Sequence, residues 1–528
     1  MSAPDRHNPY DFAPYLAWRE GVDYYRDDPF LQALVRASAG PRADAVDAAA
    51  RDLSQRASQR WRLLADASAL PERRPQLLHW DAHHRRVDRI VRSHDSVSLE
   101  REVFAEGLFS SHTDTPTRLA KMFLVYQNGE ACTACPVVCT EGLVGLLERF
   151  ADRAETRDML AHLKEGRDGD FAIGAQFLTE IHGGSDVPAN RVEAVEEANG
   201  WRLHGTKFFC SVVHADYAVV TAKPQGSGHL AAFAMPMWDG DAFRERRNRY
   251  TIDRLKWKLG TGELPTAELT LDGALAYPVG ALDRGLANVV GIVLTLSRLT
   301  VGLASGAYMT RAVREAEGYA AFREAFGRRL DTFPMVRGQL DAMRRAARRT
   351  TAAGFAIYRA FDDVGGLDGR RDGGLAARRR AFDVRELIML QKFVAAEEST
   401  DVIRQAMSIL GGNGVIEDFS CLPRLYRDSA VNELWEGPRN VLLAQIHRDL
   451  ARAASWYRPS EFVRSVLAGG DIATADALAA EFDALVAYPD LSAPAEHAVD
   501  VCERWDRACR SLMRGYQDAA MRAVDRRD

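Results

Sequence analysis

Trp435-Glu436-Gly437 places an indole, a carboxylate and a backbone-permissive residue in a row. Upstream lie Ile409-Leu410-Gly411-Gly412-Asn413-Gly414 and then Arg427-Asp428. That order reads as a helix stop, a loop, and a carboxylate delivered to a fixed place. Leu434 precedes the glutamate and Val441 to Leu443 follow it, so the setting is largely apolar. Desolvation raises a carboxyl pKa toward neutrality, which suits a base that removes a proton from an acidified carbon. The plain alternative is a surface glutamate before a Gly-Pro turn, because glutamate is mostly exposed.

Three other segments carry groups suited to holding a flat or anionic ligand. In Phe177-Leu178-Thr179-Glu180-Ile181-His182-Gly183-Gly184-Ser185-Asp186 the paired glycines admit close backbone approach, and Thr179 and Ser185 offer hydroxyls. In Gly205-Thr206-Lys207-Phe208-Phe209-Cys210-Ser211 an aromatic ring could flank a planar ligand and Ser211 could bond its polar edge. In Tyr319 to Gly327, Arg323 offers a planar fork suited to a pyrophosphate, and Phe326-Gly327 would end a helix. Each has an ordinary reading too: a Gly-Ser-Asp turn, a core strand rich in phenylalanine, a solvated arginine.

The bulk numbers set bounds. A chain of 528 residues has room for several domains, and 47% apolar with 27% charged residues is ordinary globular composition. A net charge of -5 leaves no overall basic footprint for nucleic acid. Seven cysteines form no secreted disulfide framework. Cys132-x-x-Cys135-x-x-x-Cys139 lacks a partnering ligand pair, so it reads as a buried thiol cluster and not a metal site. The N-terminus has no apolar stretch behind a basic start, so no signal peptide is expected. The apolar tract from Val289 to Tyr308 is interrupted by Arg298 and reads as a buried helix, not a membrane span. A cytoplasmic location is the expectation. The arginines at 344, 345, 348 and 349, and at 378 to 380, read as solvated helix faces.

Three textures must position these residues. Residues 1–172 read helical, with Thr113-Asp114-Thr115-Pro116 a helix start and Leu143 to Leu163 on helical spacing. Residues 173–285 alternate with period 2, as in Ala267, Leu269 and Leu271 against Glu268 and Thr270, and read as a strand domain. Helices return in 286–455, with Val336, Leu340, Met343 and Ala347 on one face and Val384, Leu387, Leu390 and Val394 on another. A glycine-rich connector at 365–374 separates them, and residues 456–528 add a helical extension. Long blocks of helix, sheet and helix imply an α+β fold.

Taken in order, the Thr-Glu…Gly-Ser-Asp stretch, the aromatic-x-Ser stretch, Arg-x-x-Phe-Gly, Leu-Gly-Gly-x-Gly and the Glu-Gly pair resemble the acyl-CoA dehydrogenase family over residues 75–455. Trp80 to Arg86, the Phe-Phe-x-Ser variant, Leu422 to Arg427 and the helical tail look most like its AidB branch. The resemblance implies an N-terminal helical domain, a β-barrel-like middle domain and a C-terminal four-helix bundle. It implies FAD, with Leu178, Thr179, Gly184, Ser185, Phe209 and Ser211 around the flavin ring. Arg323 and Phe326 match residues that reach the FAD of a neighbouring subunit, Gly411 and Gly412 the loop near that cofactor, and Asn440 a polar contact. A homodimer or homotetramer follows. Glu436 matches the base, flanked by Trp435 and Gly437 on the substrate side, with Arg298 matching a family arginine. The activity implied is α,β-dehydrogenation of an acyl-CoA, the flavin taking a hydride and passing electrons to an electron-transfer flavoprotein. Pro438, Arg439 and Ser408 depart from the family pattern, which usually has a hydroxyl after Glu-Gly and glutamine before Ile-Leu-Gly-Gly.

Two other readings share the fold. One is a DNA-associated flavoprotein like AidB. From residue 451 onward the chain has ten arginines, no lysine and thirteen carboxylates, a net of -3, and an acidic tail does not attract phosphates. The other is a flavin oxidase or monooxygenase, whose members usually lack the base that Glu436 supplies here.

Overall fold

A computed structural model describes residues 10–240, 244, 246–368, 373–496 and 498–525. Residues 369–372 of the glycine-rich connector lie outside the described residues. The N-terminal region folds as α1 (Ala13–Gly21), α2 (Pro29–Ala39), α3 (Ala43–Arg56), α4 (Arg62–Ser68), β1 (Gln76–Trp80), β2 (Arg86–Val91), α5 (His94–Phe104), α6 (Thr115–Tyr126), α7 (Ala134–Phe150) and α8 (Ala154–Glu165). Asp114 caps α6 by accepting from the Thr117 N–H at 2.9 Å. Two expectations change here. The antiparallel β1–β2 hairpin interrupts the helical texture, with Leu77 opposite Ile90; strands of 5 and 6 residues carry too short an alternation to stand out among helices. The Leu143 to Leu163 stretch is two helices, because Ala151 leaves helical geometry with ψ 83°.

The middle region forms β3 (Gly174–Phe177), β4 (Glu193–Glu197), β5 (Gly200–Ser211), β6 (Tyr217–Pro224), β7 (Ala231–Pro236), β8 (Tyr250–Leu255) and β9 (Thr266–Pro278). The strand order is β3-β6-β4-β5-β9-β7, with β8 on β9. A further β6–β7 pairing closes the sheet on itself. Ala267, Leu269 and Leu271 point into its core, as the alternation predicts.

The remaining elements are α9 (Gly285–Asn288), α10 (Leu294–Phe322), a hairpin of β10 (Glu324–Ala325) and β11 (Arg328–Arg329), α11 (Pro334–Asp363), α12 (Gly374–Leu410), α13 (Leu422–Asn432), α14 (Arg439–Ala453), α15 (Pro459–Val466), α16 (Ile472–Val486) and α17 (Ala498–Asp525). α10 is the axis of the bundle and packs on both α11 and α12. Gly302 and Gly306 permit this approach: a Cβ on either would stand 2.8 Å from Gln391 of α12 or Thr351 of α11. By length and composition alone Gly285–Phe322 could cross a membrane, but Leu299, Leu303, Ala307, Ala312 and Ala316 are buried in the helical core.

Two hydrophobic cores result. One fills the sheet; the other is shared by the N-terminal helices, the bundle and α15–α17. The C-terminal extension is therefore part of the main core. Trp505 of α17 donates Nε1–H to the Leu443 carbonyl of α14 at 3.0 Å, and Gln517 donates to Gln391 of α12 at 3.0 Å. Arg344, Arg349 and Arg379, read above as solvated, ion-pair with Glu317, Glu398 and Glu461.

Candidate active site

α13 ends at Asn432, and a turn carries the chain to Pro438, the N-cap of α14. In that turn Glu436 has φ 60° and Gly437 φ 99°. A left-handed non-glycine residue costs on the order of 1–2 kcal/mol, so neighbouring contacts must hold it. Arg298 of α10 donates Nε–H to the Glu436 carbonyl at 2.9 Å. Lys392 of α12 donates Nζ–H to the carbonyls of Glu433 at 3.1 Å and Gly437 at 2.8 Å. A Cβ at Gly437 would stand 3.3 Å from Leu442 Cδ2. Trp435 donates its indole N–H to Asn432 Oδ1 at 2.8 Å and packs on the sheet core.

The side chain of Glu436 is less provided for than its backbone. Its Oε2 is buried and has no hydrogen-bond partner among the described residues. Desolvation pushes the carboxyl up to about 7, against the pull of Arg298 and Lys392. Lys392 is fully buried, and desolvation pushes its ammonium down to about 7 against the attraction of Glu436.

The glycine and aromatic segments meet beside this turn. Buried Lys207 and Glu180 pair at 2.8 Å. Lys207 Nζ also donates to the Leu178 carbonyl at 3.3 Å, and the Phe208 N–H donates to the Thr179 carbonyl at 2.9 Å. Leu178-Thr179 is thereby locked to Phe208-Phe209. Phe209 remains 48% exposed, with Lys256 Nζ 4.5 Å from its ring centroid, and Ser211 Oγ pairs with Thr266 Oγ1 at 3.0 Å. Gly184 and Ser185 are exposed, and a Cβ at Gly184 would meet only Thr179 Cγ2 at 3.8 Å. Gly183 is the sterically obligatory one, since its Cβ would lie 2.6 Å from Asn190 Oδ1. Gln176 of β3 donates to Ser297 at 3.3 Å, one residue before Arg298. β3 thus contacts α10 beside the arginine that holds the Glu436 carbonyl.

Arg323, Phe326, Gly411 and Gly412 lie elsewhere. Arg298 sits near the start of α10 and Arg323 caps its far end; at 1.5 Å per residue they stand roughly 37 Å apart. Asn413 Nδ2 donates to Tyr319 Oη at 3.0 Å, which brings the glycine loop to that same far end. Gly411 stops α12 with φ 60°. Phe326-Gly327 does not end a helix. α10 stops earlier, at Phe322, and Phe326 and Gly327, with φ 51° and 77°, form the turn of the β10–β11 hairpin. Such a turn needs positive φ at both central residues, and phenylalanine gives no sign of it in sequence. Phe326 is 95% exposed, and the Arg323 guanidinium lies 4.2 Å from the Tyr10 ring centroid.

Residues 175–274 match the acyl-CoA dehydrogenase middle domain and 283–451 its C-terminal domain. The chain belongs to the acyl-CoA dehydrogenase family. Residues 17–167 match the N-terminal domain of the adaptive response protein AidB. The chain is 29% identical over 472 residues to acyl-CoA dehydrogenase family member 11 of Caenorhabditis elegans, covering 85% of this chain and 71% of that protein. It is also 29% identical over 452 residues to AidB of Escherichia coli, covering 82% and 79%. In fold it is similar to the crystal structure of Caenorhabditis elegans ACDH-11 in complex with C11-CoA, with a TM-score of 0.80 at 24% identity over 99% of this chain and 92% of that one.

Within this acyl-CoA dehydrogenase chain, the departures after Gly437 have structural partners. Pro438 opens α14 without a side-chain cap. Arg439 is balanced by Asp506 of α17 at 3.4 Å and Glu397 of α12 at 3.9 Å, with Asn440 exposed beside it. Lys392 is the residue that the motif reading passed over. Its signal was a single charge within the otherwise uncharged run Leu387 to Ala396. The cysteine run divides as well: Cys135 and Cys139 face each other at 3.7 Å, while Cys132 meets Glu100 and His214, their ligand atoms within 4.8 Å of one another. Arg92 Nη1 reaches into that cluster, 2.8 Å from Glu100 Oε1 and 3.0 Å from His214 Nε2, so a cation already occupies it.

Proposed function

We propose that this protein is an FAD-dependent acyl-CoA dehydrogenase in which Glu436 removes the Cα proton of an acyl thioester. The observation that carries the reading is Glu436 Oε2: buried, unpartnered, and on a left-handed turn gripped by two helices. A carboxyl near pKa 7 is half ionised at neutral pH, which suits a general base. The Glu436 N–H would polarise the thioester carbonyl; a preorganised donor of that kind typically contributes about 3–4 kcal/mol. Trp435 and Gly437 would flank the acyl group.

The residues fit FAD. Thr179, Ser185 and Ser211 would supply polar contacts and Leu178 a backbone one, Gly184 leaves open space above its backbone, and exposed Phe209 would offer a wall. Bound FAD supplies the acceptor for the Cβ hydride, and an electron-transfer flavoprotein is the electron acceptor we propose. Arg323, Phe326, Gly411 and Gly412, at the far end of α10, would serve the cofactor of a second copy, with Asn440 a nearer polar contact. The roughly 37 Å rise along α10 supports this division, since one copy cannot bring both groups to one flavin. A homodimer or homotetramer follows.

Anaerobic titration of the FAD-loaded protein with a panel of acyl-CoA thioesters tests the reading. At least one thioester should bleach the flavin absorbance, and Glu436→Gln should keep FAD yet lose bleaching. Equal bleaching by the variant would remove Glu436 from the role.

A further inference from the structure

Lys392 stands fully buried on α12, in the middle of the helical core. Among the described residues its hydrogen-bond acceptors are backbone oxygens, those of Glu433 and Gly437. These carbonyls bracket the base: one lies three residues before Glu436 and the other immediately after. Arg298 holds the carbonyl between them from the opposite helix. Burying an ammonium without a carboxylate partner is costly, and a neutral donor could satisfy two carbonyls. The charge therefore calls for a reason. The ionisable groups facing Lys392 are Glu436, Arg298, Glu433 and, from its own helix, Glu397. Glu433 is engaged by Thr400 Oγ1 at 2.5 Å and Glu397 by Arg510 of α17 at 2.5 Å. Glu436 is the carboxylate left without a donor.

We infer that Lys392 is a positioning residue for the base, holding the Glu433–Gly437 turn through two carbonyls while its charge sets the proton affinity of Glu436. The inference rests on Glu436 being the base. Lys392 and Glu436 are both displaced toward neutrality by burial, and each favours the charged form of the other. Removing the ammonium leaves Glu436 with Arg298 alone and raises its pKa. Replacing it by arginine, which keeps its charge at every working pH, leaves the pKa at or below its present value.

The test uses the FAD-loaded protein and its Lys392→Gln and Lys392→Arg variants. The Glu436 carboxyl is followed directly by infrared titration of its C=O stretch, assigned by subtracting the Glu436→Gln spectrum. Its midpoint should rise by about one pH unit in Lys392→Gln and stay level or fall in Lys392→Arg. The acidic limb of kcat should move with it, kcat on the plateau should fall about tenfold in the glutamine variant, and KM should hold within about threefold. An unmoved midpoint in Lys392→Gln overturns the inference. If that variant does not fold, a midpoint in Lys392→Arg above that of the parent overturns it equally. The infrared titration reads Lys392 whether or not turnover occurs. A protein that shows the shift but bleaches with no thioester would sink the dehydrogenase reading and leave the coupling standing.

Discussion

Two groups of buried carboxylates flank α13, and they are built in opposite ways. At its middle, Asp428 accepts the N–H groups of Thr261 at 2.7 Å and Glu130 at 3.2 Å, Glu263 accepts that of Ala131 at 3.1 Å, and Glu130 accepts that of Cys135 at 3.0 Å. Beyond its end, cations hold backbone carbonyls, and Glu436 Oε2 has no hydrogen-bond partner among the described residues. Both regions contain left-handed non-glycine residues, Ala131, Cys132 and Thr261 in one and Glu436 in the other. In the first the acids are the clamp that holds the backbone. In the second the clamp is basic, and the acid's Oε2 is left unengaged. A raised carboxyl pKa alone does not separate them, since Asp428 is also pushed up, to about 6, by burial and by Glu263. What separates them is whether the oxygens are already engaged.

The largest effect that follows is on turnover. Glu436→Gln should lower the rate of flavin reduction by roughly 10²–10⁴-fold, the usual span for a general base, in stopped-flow with the best thioester. Asp428→Asn should do the reverse, sparing the chemistry and costing the fold. It replaces an acceptor of two N–H groups with a side chain that presents its own N–H to one of them. A loss of about 2–3 kcal/mol in urea unfolding is expected. A mild Asp428→Asn alongside a badly destabilised Glu436→Gln would break the contrast.

A pH-dependent effect sharpens it. The folded-state pKa of Glu436 is raised, from 4.5 to about 7. Its contribution to stability is therefore full below pH 4.5 and is lost as pH rises to 7. The parent should lose about 3–4 kcal/mol relative to Glu436→Gln across that window and none above it. Parallel stability curves for the two proteins would show that the carboxyl is not desolvated.

The sequence conveyed much of this, unevenly. Period-2 alternation in Ala267 to Leu271 and the Gly411 stop of α12 are local, and both were legible. The signal that singled out Glu436 as a candidate is local too, because Gly437 and the apolar neighbours lie beside it. What holds Glu436 was not legible, because Arg298 and Lys392 reach it from separate helices. Nor did the order of motifs reveal that they fall into two clusters, although the apolar tract around Arg298 continues as one helix to Phe322 and its rise fixes the separation. The left-handed Glu436 and Phe326 had no sign either. Glycine announces positive φ; glutamate and phenylalanine acquire it only from tertiary contacts.

Glu386 of α12 gives the finest test, because it shares the feature that singles out Glu436. It is fully buried and neither carboxyl oxygen has a hydrogen-bond partner. Arg385, Arg298, Asp449 and Asp383 surround it, and burial pushes its pKa well above the usual carboxylate range. The difference lies in the backbone and the place. Glu386 sits inside a regular helix with no turn to hold open, and it is fully buried there. It should stay protonated at neutral pH, so glutamine is close to an isostere. Glu386→Gln should shift unfolding by less than about 1 kcal/mol at a pH below the ordinary carboxyl value of 4.5 and leave flavin reduction unchanged. Because its folded pKa is raised, the parent should lose stability as pH climbs through that value while the variant does not. A large drop in turnover for Glu386→Gln would mean that an unpartnered buried carboxyl marks catalysis in this bundle even without a strained turn, and Glu436 would lose its distinction.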